Sequence, residues 1–206
     1  AVIGKNPAAQ GFNIIGAHID SPRLDLKPQP LYEDDNFALL KTHYYGGIKK
    51  YQWLSVPLAL HGVVVKGDGS AVSVVIGEKP GDPVFTVSDL LPHLAKDQMD
   101  KKMADAVPGE SLNVLAGGIP VGAEDLKDRF KLAVLGLLNK QYGIIEEDLI
   151  SAEIELVPAW VPSDVGLDGS FIGGYGQGDR VCSYTCLRAL AGMVIPERTA
   201  LVVLGG

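Results

Sequence analysis

Residues 12–22 read Phe12-Asn13-Ile14-Ile15-Gly16-Ala17-His18-Ile19-Asp20-Ser21-Pro22, an apolar, β-branched run that gives way at once to polar residues and a proline. The pattern predicts a short buried strand over 12–17 with His18 and Asp20 at its C-terminal end. In an extended segment residues two apart point the same way, so the imidazole and the carboxylate share a face. Strand ends in open α/β sheets are where ligands bind. Taken alone the pair also suits a satisfied structural histidine. At the far end of the chain, helical spacing over 180–193 feeds a β-branched strand at 199–204. Both ends therefore read as parts of an α/β layer.

The middle reads differently. Two Val-rich runs, 63–65 and 72–76, flank Lys66-Gly67-Asp68-Gly69-Ser70, a hairpin signal because glycine supplies positive φ. A short helix is expected near 88–95, followed by a polar, mobile stretch over 96–109. From 123 to 142 the apolar residues Leu126, Phe130, Ala133, Val134, Leu137 and Leu138 recur at three and four, with Gly143 as a stop. Residues 152–157 alternate as a half-buried strand, and 158–178 is a Gly- and Pro-rich loop. The asymmetry suggests a largely antiparallel module over 56–160 inserted between 1–55 and 161–206, since an insertion needs boundaries of this proline-flanked kind.

Composition narrows the function. A chain of 206 residues with 47% hydrophobic content buries roughly 70% of its unfolded surface, so disorder is excluded. Net charge is −7 with no basic cluster, which gives a nucleic-acid partner no electrostatic support. The apolar runs are far shorter than the roughly 20 residues that span a bilayer, and the first residues do not form a secretory signal. Cys182 and Cys186 lie four apart without a CxxC motif and are expected as buried helix-face thiols in a reducing cytoplasm. The missing initiator Met and the stop after Gly205-Gly206 suggest a piece of a longer protein. Ser21 and Ser183 have no credible base, the glycine-rich stretches do not match a phosphate loop, and Glu146-Glu147 is expected as a solvated pair, as are Lys41, Lys49 and Lys50.

Residues 11–28, from Gly11 through His18-Ile19-Asp20-Ser21-Pro22 to Pro28, resemble the aspartyl aminopeptidase and vacuolar aminopeptidase I family of two-zinc exopeptidases. So do Tyr44-Tyr45-Gly46-Gly47 with Trp53, Leu58-Ala59-Leu60-His61-Gly62, Leu91-Pro92-His93-Leu94-Ala95 and Tyr175-Gly176-Gln177-Gly178-Asp179-Arg180-Val181-Cys182. The resemblance implies an α/β fold: a partial phosphorylase/hydrolase-like metallopeptidase domain, formed by 1–55 and 161–206, with an inserted β-rich dimerisation domain at 56–160. It implies His18 as a zinc ligand, Asp20 as the catalytic acid supporting the metal centre, and Asp179 as the carboxylate bridging two zinc ions. It implies that His93 binds substrate in the site of a neighbouring subunit. On the residues alone Asp179 also reads as the N-cap of a helix starting at Arg180.

The implied function is a cytoplasmic, zinc-dependent aminopeptidase releasing N-terminal residues from peptides, with cobalt or manganese as alternative metals, assembled into dimers and a dodecamer. Nucleic acid and membrane are not expected partners. Gly178 stands where the resemblance leads one to expect an acidic or bulkier residue. Family members follow the strand at 199–204 with two adjacent glutamates, then a further Asp and a His; here Gly205-Gly206 follow. Two donors, His18 and Asp179, fall short of the three that a catalytic zinc takes, so these 206 residues alone are expected to be inactive. The alternative is a self-assembly module without chemistry of its own.

Overall fold

The computed structural model describes all 206 residues and divides into two compact units, Ala1–Ser21 with Val161–Gly206, and Pro22–Trp160. In chain order the elements are β1 (Asn13–His18), β2 (Arg23–Asp34), β3 (Phe37–Tyr45), β4 (Leu58–Val65), β5 (Ala71–Ile76), α1 (Lys96–Met99), α2 (Met103–Ala106), β6 (Val114–Gly117), α3 (Arg129–Tyr142), β7 (Glu153–Pro158), β8 (Ser163–Val165), β9 (Phe171–Gly173), α4 (Gln177–Ala191) and β10 (Ala200–Gly205).

The Pro22–Trp160 unit is a six-stranded sheet in the order β5-β4-β7-β2-β3-β6, antiparallel at every pairing. Its longest hairpin, β2–β3, turns through Asp35 and Asn36, both at positive φ (45° and 63°). Two successive left-handed residues make the primed turn whose twist matches a hairpin. Pro28 and Pro30 cannot donate to a ladder, and the β2–β3 register slips between Leu26 and Leu31, where Gln29 adopts φ 51°; the prolines are thus accommodated in a bulge. At β4–β5, Lys66 N donates to Ser70 O at 2.8 Å and Gly69 takes φ 83°.

One face of this sheet carries the core. Leu24, Leu58 and Leu156 are wholly buried, joined by Leu60, Ile154, Val64 and Val74 from neighbouring strands and by Phe130 and Val134 from α3. The alternation of β7 is that of a strand with one apolar face: Ile154 and Leu156 are buried and Glu153 is exposed. Helix α3 begins at Arg129, not at 123, because Asp128 sits in the left-handed region. The Glu33 carboxylate accepts from Phe130 N (2.8 Å) and Lys131 N (3.2 Å), satisfying two of the amides that open the helix. Gly143, at φ 67°, closes it.

The other unit holds a two-stranded parallel sheet, β1 with β10, in register from Asn13↔Ala200 to His18↔Gly205. Helix α4 packs on both strands, and β8 and β9 form a small hairpin.

Several expectations differ from what forms. The first division between units falls after Ser21, so the expected boundary at 55/56 lies inside the sheet unit; β2 and β3 belong there because β2 pairs with β7. Residues 88–95 make a turn instead of a helix, and the short helices α1 and α2 come later, within the stretch expected to be polar and mobile. The 158–178 loop contains β8 and β9. Strand β1 is largely exposed, with Ile14 at 65%, since it has a single strand neighbour. Cys182 is exposed and Cys186 half-buried.

Candidate functional site

Parallel pairing sets the C-terminal ends of β1 and β10 side by side: His18 lies opposite Gly205, and Ile19 N donates to Gly205 O at 2.9 Å. A helix leading into a parallel strand runs antiparallel to it, which brings the first turn of α4 to this same end. Asp179 stands in that turn and is only 8% exposed. It is not the N-cap expected from the sequence: the helix starts at Gln177, and Gly176, at φ 72°, occupies the cap. An acid in the first turn is favoured by the helix dipole whether or not it caps.

The side chains of His18, Asp20 and Asp179 converge. His18 Nδ1 lies 3.1 Å from Asp179 Oδ1 and 3.4 Å from Asp20 Oδ1. The imidazole is well exposed whereas both carboxylates are largely covered. The second oxygen of Asp179, Oδ2, accepts a hydrogen bond from Ser21 Oγ. Ser183, one helical turn beyond Asp179, donates to the His18 carbonyl at 3.3 Å. The end of β10 lies against Asp20: a Cβ on Gly206 would stand 2.9 Å from the Asp20 Cβ.

Two carboxylates against one imidazole leave an excess of negative charge, and such an arrangement favours a cation. The donor chemistry suits zinc, which takes imidazole nitrogen and carboxylate oxygen at 2.0–2.2 Å. Two ligands at about 2.05 Å on a tetrahedral ion stand about 3.3 Å apart, close to the 3.1 Å between His18 Nδ1 and Asp179 Oδ1. His18 and Asp179 therefore fit as part of a zinc site, with Asp20 Oδ1 facing the same ring nitrogen from beside them. No group of three or more His, Cys, Asp or Glu side chains is arranged to hold a metal ion, so the cluster supplies two donors and not a full set.

The remaining expected residue, His93, belongs to the Pro22–Trp160 unit, on an exposed turn where Leu94 N donates to Leu91 O at 2.9 Å. Glu147 is exposed as expected, while Glu146 is half-buried and pairs with Lys131 at 2.5 Å. Ser21 and Ser183, which lack the base a nucleophile needs, both touch the cluster. The signal available was their placement: Ser21 directly after Asp20, and Ser183 four residues after Asp179, on the same helix face.

A family model described as aminopeptidase I zinc metalloprotease (M18) matches residues 1–200. A probable M18 family aminopeptidase 1 of Clostridium acetobutylicum is 53% identical over 203 residues, 98% of this chain and 44% of its own length. Its counterpart in Thermotoga maritima is 56% identical over 194 residues, 94% of this chain and 42% of its own. The crystal structure of a Thermotoga maritima M18 aminopeptidase superposes with a TM-score of 0.87 at 55% identity, covering 95% of this chain and 42% of that one. An S. cerevisiae mApe1 dodecamer, 21% identical, shares the fold with a TM-score of 0.63. The chain thus spans less than half the length of the curated relatives it matches.

Proposed function

Because the chain belongs to the M18 aminopeptidase I family of zinc metalloproteases, we propose that it carries part of the active centre of a zinc-dependent aminopeptidase that releases N-terminal residues from peptides. The observation behind this reading is the meeting of His18, Asp20 and Asp179 at the C-terminal end of a parallel strand pair.

His18 and Asp179 hold zinc, and Asp20, beside them, is the catalytic acid that supports the metal centre. Zinc, when bound, supplies Lewis acidity toward the scissile carbonyl. Asp179 presents a largely buried carboxylate whose two oxygens allow it to serve two cations at once. His93 contacts substrate in the site of a neighbouring copy. Self-association runs through the antiparallel sheet unit, first to a dimer and then to a dodecamer of the kind described for the yeast relative. No helix is long and apolar enough to cross a membrane, and two free cysteines suit a reducing cytoplasm. With two donors in the cluster, these residues alone bind zinc without turning over peptide.

Zinc titration of the full chain by calorimetry tests the reading. The unaltered chain should take up zinc, and His18→Ala and Asp179→Asn should weaken it by more than the roughly 10–100-fold that changes around a ligand cost. His93→Ala should leave uptake unchanged. Equal affinity in the unaltered chain and His18→Ala sinks the assignment. A sedimentation series that shows no concentration-dependent dimer removes the assembly claim.

A further inference from the structure

Asp179 faces a problem of orientation. The terminal torsion of an aspartate is broad, so burial alone does not fix the plane of the Asp179 carboxylate relative to His18. Ser21 supplies the missing constraint: its hydroxyl donates to Oδ2, while Oδ1 faces His18 Nδ1 at 3.1 Å. We propose that Ser21 is a positioning residue for the metal centre, holding the Asp179 carboxylate in its ligating orientation.

Three further observations support this role. First, the backbone makes room for the hydroxyl: a Cβ on Gly176, the left-handed cap of α4, would stand 3.0 Å from Ser21 Oγ and 3.1 Å from Arg180 Nη1. Any larger residue there would press on the donor. Second, Ser21 precedes Pro22, and a residue before proline is confined to extended conformations, which limits where its side chain can point. Third, Ser183 Oγ donates to the His18 carbonyl at 3.3 Å. The two hydroxyls thus link the end of β1 and the segment after it to the first turns of α4, one at the carboxylate and one at the backbone.

The chemistry of the donor also fits. A lysine or arginine would orient the carboxylate but cancel the charge that attracts a cation. A hydroxyl orients it and leaves the charge in place. An ionised carboxylate has about four lone-pair sites, so Oδ2 can accept from Ser21 and still coordinate. This inference rests on the reading of Asp179 as a zinc ligand, and the test separates the two.

Zinc affinity of the full chain is measured by competition against a chromophoric chelator, for the unaltered chain, Ser21→Thr, Ser21→Val and His18→Ala. Thr and Val are nearly isosteric and differ in the hydroxyl, so a gap between them reports the donor whatever packing cost they share. Ser21→Thr should bind within about twofold of the unaltered chain and Ser21→Val about 10–100-fold more weakly. The d–d absorption of the cobalt-loaded chain should change in Ser21→Val and persist in Ser21→Thr. Equal affinities and spectra for the Thr and Val variants, with His18→Ala still impaired, overturn the role of Ser21 and leave the zinc site standing. Equal affinity in all four chains overturns both.

Discussion

Gly62→Ala is the sharpest test of the sheet. Gly62 sits in β4 opposite Ile154 of β7, and a Cβ built there would stand 2.1 Å from Glu153 O and 2.7 Å from the Ile154 Cα. Both are backbone atoms, so no rotamer change relieves the clash and the strands must separate. Overpacking costs about 1–3 kcal/mol, and each ladder hydrogen bond weakened adds about 0.5–1.5 kcal/mol. Loss of one or two such bonds brings the total to about 1.5–6 kcal/mol, centred near 4. Urea unfolding followed by tryptophan fluorescence reads this unit directly, since Trp53 is 7% exposed whereas Trp160 is already 57% exposed. With a slope of about 2 kcal/mol per molar urea, the midpoint should fall by about 2 M. A midpoint within about 0.3 M of the unaltered chain would refute the argument.

The remaining expectations concern packing and charge. Gly136→Ala, in the middle of α3 with nothing within 4 Å of the new Cβ, should stabilise the chain by about 0.5–1 kcal/mol, measured by the same urea assay. Leu156→Ala, fully buried and opposite Leu24 and Leu60, should cost about 2–5 kcal/mol. The Lys27 ammonium, hydrogen-bonded to Glu110 at 2.6 Å, holds that carboxyl below its ordinary value of 4.5. A depressed carboxyl contributes stability that is present above pH 4.5 and fades as pH falls through the lowered value. Lys27→Met should return the Glu110 midpoint toward 4.5 in a carbon-detected NMR titration, and an unchanged midpoint would remove Lys27 as the cause.

Local signals carried much of the fold. The glycines between Val65 and Ala71 marked a hairpin, Ile154 and Leu156 marked a one-faced strand, and Gly143 marked a helix stop; each corresponds to an element of the structure. The β2–β3 hairpin was hidden because Pro28 and Pro30 argue against a strand unless a bulge absorbs them, and because its turn uses Asp35 and Asn36 without glycine. Helix α3 starts late because its apolar period extends past the point where Asp128 turns left-handed. The site was less legible from spacing. His18 and Asp20 announce themselves as neighbours, but nothing in the local pattern connects them to Asp179; parallel pairing of β1 with β10 does so. Ser21 has no base beside it in the sequence to mark it as a nucleophile; its partner is the acid Asp179, distant in the chain.

The pairing of Asn13 with Ala200 joins positions 187 apart in the chain, which has a kinetic consequence. Closing so long a segment is entropically slow unless something shortens it, and the pairing of Leu24 with Leu156 does so, leaving about 55 residues to be brought together. The shortcut lowers the closure cost by about 1 kcal/mol, roughly a sixfold gain in encounter probability. Folding should therefore run from the middle outward, with the antiparallel sheet assembling first and the histidine and its two acids meeting last.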